Sequence, residues 1–325
     1  MKAILVGLGS AGFGWYKRLR DRGMLHAVVE SHEAMKEKMG NDPYPFYTSL
    51  EVALRHEAEA ADFLVNVTTP SAHSAVNHAA FDYKLPVLCE KPISFDFAES
   101  VEIVDRAKRE NIPFMIAENY RHFPYVRKLK ALIQSGAIGE LSTVEIAFHR
   151  FHQVKRNYAV RILDDIGVHH FDMLRYLTGR EGVAVQARLY DPIAGWQEEG
   201  ASLQCYATIE LEGGITASYT ASIASRGPAT GWSGNWRVEG TEGALLLRDG
   251  EIALYRGQDA TVIDDYSDIR QRDTLDEFLS SLHEGREAET SGADYLKTQA
   301  LVHCANASSV SCSRLQVRLH GKDEA

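Results

Sequence analysis

Lys2-Ala3-Ile4-Leu5-Val6-Gly7-Leu8-Gly9-Ser10-Ala11-Gly12 is the stretch whose reading decides the fold. Lys2–Val6 reads as a short β-strand, and Phe13–Asp21 continues in residues that suit a helix. The glycines between them follow the pattern G-x-G-x-x-G. Gly7 permits a tight turn, Gly9 lets a pyrophosphate approach the backbone, and Gly12 allows close helix–strand packing. Ser10 and Ala11 then stand at the helix N-terminus, where phosphate charge is favoured. A second strand, His26–Val29, ends at Glu30. A carboxylate at that place binds a ribose 2′-hydroxyl and repels a 2′-phosphate, so NAD is expected as cofactor ahead of NADP. Polar Ser31 and His32 beside it leave NADP open.

Working outward, a helix near Ser49–Arg55 precedes a strand at Phe63–Val67, then Thr68-Thr69-Pro70-Ser71-Ala72-His73. A helix over about His73–Tyr83 leads to the apolar strand Val87–Cys89, which runs straight into Glu90-Lys91-Pro92. In open α/β sheets, ligands bind outside the carboxyl ends of the strands. A lysine there can hydrogen-bond a substrate oxygen, although Glu-Lys-Pro is also a common surface turn. Asp96 and Glu99 resemble a capping box for a helix ending near Asn111. Phe114–Ala117 is a further strand, delivering Glu118-Asn119-Tyr120-Arg121 to the same edge. Strand and helix alternate through residue 120, which makes 1–120 a Rossmann-type domain.

The pattern changes beyond that point. Val144, Ile146 and Phe148 alternate with Glu145, Ala147 and His149, as a half-buried strand does, and Leu203–Ile209 does the same. Gly213-Gly214, Gly240-Thr241-Glu242-Gly243 and Asp249-Gly250 mark hairpin turns. One helix is expected near Val168–Leu177 and a last one over about Ala293–Val310. The expected fold class is α/β: a Rossmann domain over 1–120 and an α/β domain over 121–325 with an open, mainly antiparallel sheet.

Length and composition agree with this. A chain of 325 residues holds two domains with real cores, and 45% apolar with 25% charged residues is the balance of a globular protein. The net charge of −10 argues against nucleic acid or an acidic membrane as partner. The apolar start Met1–Val6 is too short for a signal peptide, and no apolar run approaches the ~18 residues of a membrane span. Cys89, Cys205, Cys304 and Cys312 form no Cys-x-x-Cys pair, as expected of reduced thiols in the cytoplasm.

A second chemical cluster is Asp164-Asp165-Ile166-Gly167-Val168-His169-His170-Phe171-Asp172. Asp165 and His169 are four apart and share a face if the segment is an α-helix. Histidine exchanges a proton near neutral pH, and an aspartate partner would fix its tautomer. Asp165 as a helix cap with His169 as a satisfied core residue is the plainer alternative. A metal site from His149, His152, His169 and His170 has poor ligand geometry, so no metal is expected.

Taken together, the chain resembles the glucose–fructose oxidoreductase / inositol dehydrogenase / rhizopine-catabolism (Gfo/Idh/MocA) family over nearly its whole length. The resemblance rests on Gly7-x-Gly9-x-x-Gly12, Thr69-Pro70-x-x-His73, Glu90-Lys91-Pro92, Asn119-Tyr120-Arg121-His122-Phe123-Pro124 and Asp165-x-Gly167-x-His169-x-x-Asp172. Gly240-Thr241-Glu242-Gly243 and Thr290-Ser291-Gly292-x-Asp294 complete it. It implies a catalytic trio of Lys91, Asp165 and His169. His169 would accept a substrate hydroxyl proton, Lys91 would hydrogen-bond the same oxygen, and Asp165 would orient them. It adds Thr68, Thr69, Pro70, His73, Glu90, Lys91, Asn119 and Arg121 to the cofactor contacts. It also implies that the second domain binds substrate and that its sheet forms a homodimer or homotetramer face. Ser71 departs from the asparagine common in relatives, and Glu33–Tyr47, with two prolines, is expected to be an irregular crossover.

For the substrate side, the candidates are Lys91, Arg121, His149, Arg150, His152, Lys155, Arg156, Tyr158, Asp165, His169 and the Trp232–Trp236 loop. Such a lining suits a sugar, an inositol or a related polyol. The cations in Gln153–Arg161 admit an anionic polyol, although ordinary solvated loop charge is the plainer reading. The expected activity is therefore an NAD(P)-dependent polyol dehydrogenase. The alternatives are glycoside cleavage or epimerisation through transient oxidation, and a non-catalytic NAD-binding sensor.

Overall fold

The computed structural model describes residues 1–154 and 158–319. The chain forms two compact units, one of Met1–Glu118 with Thr274–Leu296, the other of Asn119–Asp273 with Lys297–Leu319.

The first unit begins β1 (Ala3–Val6), α1 (Ser10–Asp21), β2 (Leu25–Val29), then a 3-10 segment, Glu33–Met39, where the sequence indicated an irregular crossover. There follow β3 (Phe46–Tyr47), α2 (Leu50–Glu57), β4 (Phe63–Asn66), α3 (Pro70–Asp82), β5 (Val87–Cys89), α4 (Phe97–Arg109) and β6 (Phe114–Ile116). The six strands are all parallel, in the order β3-β2-β1-β4-β5-β6. β1, β4, β5 and β6 are buried along their whole length, which is why they read as unbroken apolar runs. α3 starts at Pro70, three residues earlier than the sequence suggested, because proline at the first turn has no N–H to leave unsatisfied. Asp96 does cap α4, its Oδ1 accepting from the backbone N–H of Ala98 at 2.7 Å. The return half of the expected capping box runs instead through Ser94, whose hydroxyl accepts from Asp96 N–H and donates to Glu99.

The second unit contains α5 (Pro124–Gln134), β7 (Leu141–His149), a π-helical turn at Leu163–Gly167, and α6 (Val168–Thr178). Its remaining strands are β8 (Gly182–Tyr190), β9 (Gln204–Leu211), β10 (Thr216–Ser222), β11 (Asn235–Gly240), β12 (Ala244–Arg248), β13 (Glu251–Arg256) and β14 (Asp259–Ile263). α6 is buried at every residue from Val168 to Leu177 and stops at Gly179, which adopts the left-handed conformation.

The chain then re-enters the first unit with α7 (Thr274–Glu284). Leu275 and Phe278 are buried in the first unit's core, and the Phe278 ring meets Phe63 edge-on at 5.5 Å. Thr290 Oγ1 donates to Ile116 O at 2.6 Å. The sequence places 121–325 whole in a second domain; instead Thr274–Leu296 groups with the first unit, where Leu275 and Phe278 of α7 lie in the core. α8 (Gly292–Ser311) and β15 (Leu315–Gln316) end the described chain.

The second unit's sheet has the order β14-β13-β12-β11-β7-β10-β9-β8-β15. Its neighbours run antiparallel except β7 and β10, which are parallel, so the sheet is mixed. Val144, Ile146 and Phe148 of β7 point inward as their alternation indicated. Among the described residues no helix is long and apolar enough to cross a membrane. All four cysteines are free thiols.

Candidate active site

Three turns follow the C-terminal ends of the adjacent strands β1, β4 and β5: Gly7–Gly12, Thr68–Pro70 and Glu90–Pro92. This is the edge at which an open parallel sheet binds ligands. A Cβ on Gly7, which has φ +102°, would lie 2.5 Å from Val67 O, and one on Gly12 would lie 2.2 Å from Gly7 O. These two glycines are therefore required by close backbone approach. A Cβ on Gly9 would meet nothing within 4 Å, so the space beside the N-terminus of α1 is open. Ser10 and Ala11 are exposed on that side. The shape fits a dinucleotide pyrophosphate over a helix N-terminus.

Glu30 closes the same turn. Its Oε2 accepts from Leu8 N–H at 2.8 Å and its Oε1 from His32 N–H at 3.0 Å. Burial works to raise the Glu30 pKa, but those two N–H groups and the Ser31 hydroxyl outweigh it, and the net shift is downward. The carboxylate is thus ionised at neutral pH. Lys38 Nζ donates to Leu8 O at 3.0 Å, so the Leu8 peptide is gripped at both ends. Lys38 was not among the candidates read from the sequence, because its contact spans thirty residues.

The other two turns are tied by His73 and Asn66. His73 is fully buried, Nδ1 2.7 Å from Pro92 O and Nε2 3.2 Å from Thr68 O. Burial pushes its pKa down against the pull of the two carbonyls, leaving a neutral ring whose shorter contact is the N–H donor. His73, expected as a cofactor contact, holds the two turns from beneath. Asn66, missed by sequence reasoning, accepts from the Thr68 hydroxyl at 2.8 Å and donates to Asn77 Oδ1 at 2.8 Å. An amide ending the apolar run Phe63–Val65 was its only signal. Thr69 is exposed and Pro70 and Lys91 are half-buried, at the rim. Glu90 accepts from Trp15 Nε1 at 2.8 Å.

In the second unit, Asp165 and His169 share a face if their segment is an α-helix. Asp165 lies in the π-helical turn instead, and His169 in the first turn of α6. Such wide turns recur at functional sites. His169 is 7% exposed and stacks on Tyr120, ring centroids 4.2 Å apart and planes 9° apart. His170 faces the other way. Nε2 lies 2.9 Å from Trp232 O and Nδ1 3.0 Å from Tyr219 Oη. A carbonyl only accepts, so Nε2 carries the proton and Nδ1 accepts from the tyrosine. Burial lowers the His170 pKa to about 3, which keeps it neutral, and both nitrogens are engaged. That removes it from the four-histidine set considered for a metal. Among the described residues no group of three or more His, Cys, Asp or Glu could hold one.

Through His170, α6 is linked to Trp232, which is 39% exposed. The Arg150 guanidinium lies 4.6 Å over the indole and also donates to Thr230 O. The His152 ring meets the indole edge-on at 4.9 Å, and Thr230 N–H donates to His149 O at 2.8 Å. Tyr158 is half-buried and Asn119 exposed. Arg121, expected at cofactor and substrate, is 5% exposed and bonds Asp172 through Nε and Nη2, each at 2.6 Å. Lys155 and Arg156 lie outside the described residues.

Residues 1–118 match the family model described as "Oxidoreductase family, NAD-binding Rossmann fold", and 126–246 match the "GFO/IDH/MocA C-terminal domain". D-apiose dehydrogenase of Rhizobium rhizogenes is 27% identical, over 94% of both chains. Inositol 2-dehydrogenase of Corynebacterium glutamicum is 26% identical, over 88% of this chain and 86% of its own. A crystal structure of an oxidoreductase from Agrobacterium radiobacter in complex with NAD+, L-tartaric acid and magnesium is similar in fold, with a TM-score of 0.87, 21% identity and 98% of each chain covered. With both halves matched in order, the chain belongs to the Gfo/Idh/MocA family of oxidoreductases.

Proposed function

We propose that this protein is an NAD-dependent dehydrogenase acting on a hydroxyl of a sugar, an inositol or a related polyol. The observation that carries the reading is the shared sheet edge of the first unit, where a dinucleotide cradle and Lys91 follow β1 and β5, separated only by β4. The relatives named D-apiose dehydrogenase and inositol 2-dehydrogenase support the substrate class.

Gly7, Gly9 and Gly12 would hold the pyrophosphate, Glu30 the adenosine ribose, and Thr68–Pro70 the rim of the same site. The ionised Glu30 carboxylate supports NAD over NADP, since a 2′-phosphate beside it would be repelled. When bound, the nicotinamide supplies the hydride acceptor. Lys91 donates a hydrogen bond to the substrate oxygen and stabilises the negative charge that develops there. His169 accepts the hydroxyl proton, and the Tyr120 ring behind it fixes the imidazole plane. Asp165 orients His169. Trp232 and His152 offer an aromatic face and a polar edge, which suit the C–H surface and hydroxyls of a polyol.

The exposed face of the second unit's sheet, with Tyr206 at 52% exposure, supports a homodimer or homotetramer, to be checked by light scattering. Free thiols support a cytoplasmic setting.

The test is NADH formation, followed by absorbance, across inositols, aldoses and aldonic acids with NAD and NADP in parallel. Turnover that Lys91→Ala and His169→Ala each abolish, with NAD binding retained, is the expected result. Silence across the panel with NAD binding intact sinks the dehydrogenase reading in favour of chemistry on a permanently held cofactor.

A further inference from the structure

α1 carries more than the dinucleotide turn. Trp15, on this helix, is 6% exposed, and its Nε1 donates to Glu90 Oε1 at 2.8 Å. The other Glu90 oxygen, Oε2, accepts from Lys91 N–H at 3.3 Å. One carboxylate therefore joins the helix that opens the pyrophosphate site to the backbone of the residue assigned to the substrate oxygen. The outer face of the Trp15 indole is covered by the Arg18 guanidinium, 4.7 Å from the ring. The guanidinium packs on one face of the ring while the indole N–H is given to Glu90.

The electrostatics make the indole N–H consequential. On balance the Glu90 pKa is raised: burial and Glu118 push it up, and the Trp15 bond and the Lys91 charge offset this only in part. An indole N–H only donates, and it bonds an ionised carboxylate more strongly than a neutral one. Trp15 also packs in the first unit's core, and its N–H is the one polar group it contributes there.

We propose that Trp15 is a positioning residue for Lys91: its indole N–H orients Glu90, and so couples dinucleotide occupancy of the α1 N-terminus to the placement of the lysine. The proposal rests on the reading of Lys91 as the donor to the substrate oxygen.

The first test needs no turnover. The protein has four tryptophans, so its 15N-labelled indole spectrum is simple, and Trp15→Phe assigns the Trp15 resonance. Adding NAD is expected to move that resonance, and Lys91→Ala and Glu90→Gln are each expected to move it too. A Trp15 resonance indifferent to either NAD or Lys91→Ala overturns the coupling. The second test is kinetic. Trp15→Phe, which keeps an aromatic ring but no N–H, is expected to lower kcat by about 10-fold, the size of one lost hydrogen bond, with KM for NAD held within about two-fold. An unchanged kcat, or a rise in KM for NAD with kcat intact, overturns the proposal. If no polyol turns over in the parent protein, the dehydrogenase reading fails, and the spectrum still decides the coupling.

Discussion

Tyr120 lies flat against His169, with ring centroids 4.2 Å apart and an interplanar angle of 9°. A stack so close holds the imidazole plane parallel to the Tyr120 ring. Aromatic pairs of this kind contribute about 0.5–1.5 kcal/mol beyond their buried area. Tyr120→Leu is therefore expected to lower kcat by roughly 3- to 10-fold with NAD affinity unchanged, whereas Tyr120→Phe keeps the wild-type rate. Steady-state kinetics on the substrate found by panel screening reads the difference.

Glu30 holds Leu8 N–H and His32 N–H at once. Glu30→Ser removes the charge that repels a 2′-phosphate and shortens the acceptor for Leu8. The ratio of kcat/KM for NAD to that for NADP is expected to fall by about 10- to 100-fold, the range of a lost hydrogen bond to a charged group. A ratio unmoved by the substitution removes Glu30 from cofactor selection.

Gly12 and Gly9 separate fold from binding. Gly12→Ala places a methyl 2.2 Å from Gly7 O, so it is expected to destabilise the first unit by about 1–3 kcal/mol, seen as a lower Tm. Gly9→Ala meets nothing in the protein and should melt as the wild type does. Calorimetry with NAD should nonetheless show weakened binding for Gly9→Ala, since the methyl occupies the space offered to the pyrophosphate.

His170 makes a pH-dependent contribution whose sign follows from its depressed pKa. Its native value is about 3, against about 6.5 in an unfolded chain. Below about pH 6.5 the unfolded chain gains a proton that the native state refuses. The contribution is thus present above about pH 6.5 and is lost as pH falls towards 3, by at most about 1.4 kcal/mol per pH unit. Urea unfolding of His170→Gln should show a shallower loss of stability than wild type across this window, and parallel curves contradict the assignment.

Arg121 and Asp172 form a pair in which Asp172 is fully buried and also accepts from Thr298 Oγ1 at 2.9 Å. Removing one partner leaves an uncompensated buried charge. Asp172→Ala is expected to cost about 3–5 kcal/mol in urea unfolding. A loss of activity with unchanged stability would instead return Arg121 to the substrate site proposed from its sequence context.

What could be read from residues alone was local. Gly7 and Gly12 were legible because a turn between strand and helix sets backbone requirements a few residues apart, and glycine is what meets them. The inward alternation of Val144, Ile146 and Phe148 likewise announces a half-buried strand, since a strand's period is two. Packing between distant segments decided the rest. Tyr120 meets His169 and Arg121 meets Asp172 across roughly fifty residues of chain, and Trp15 meets Glu90 across seventy-five. Two adjacent histidines look alike in the sequence. Both are buried, and their partners separate them: His169 rests on Tyr120 beside the π-helical turn, and His170 is locked between a hydroxyl and a carbonyl in the core. Local spacing governs backbone shape, but the charge and role of a side chain follow from the dielectric and the partners that folding brings to it.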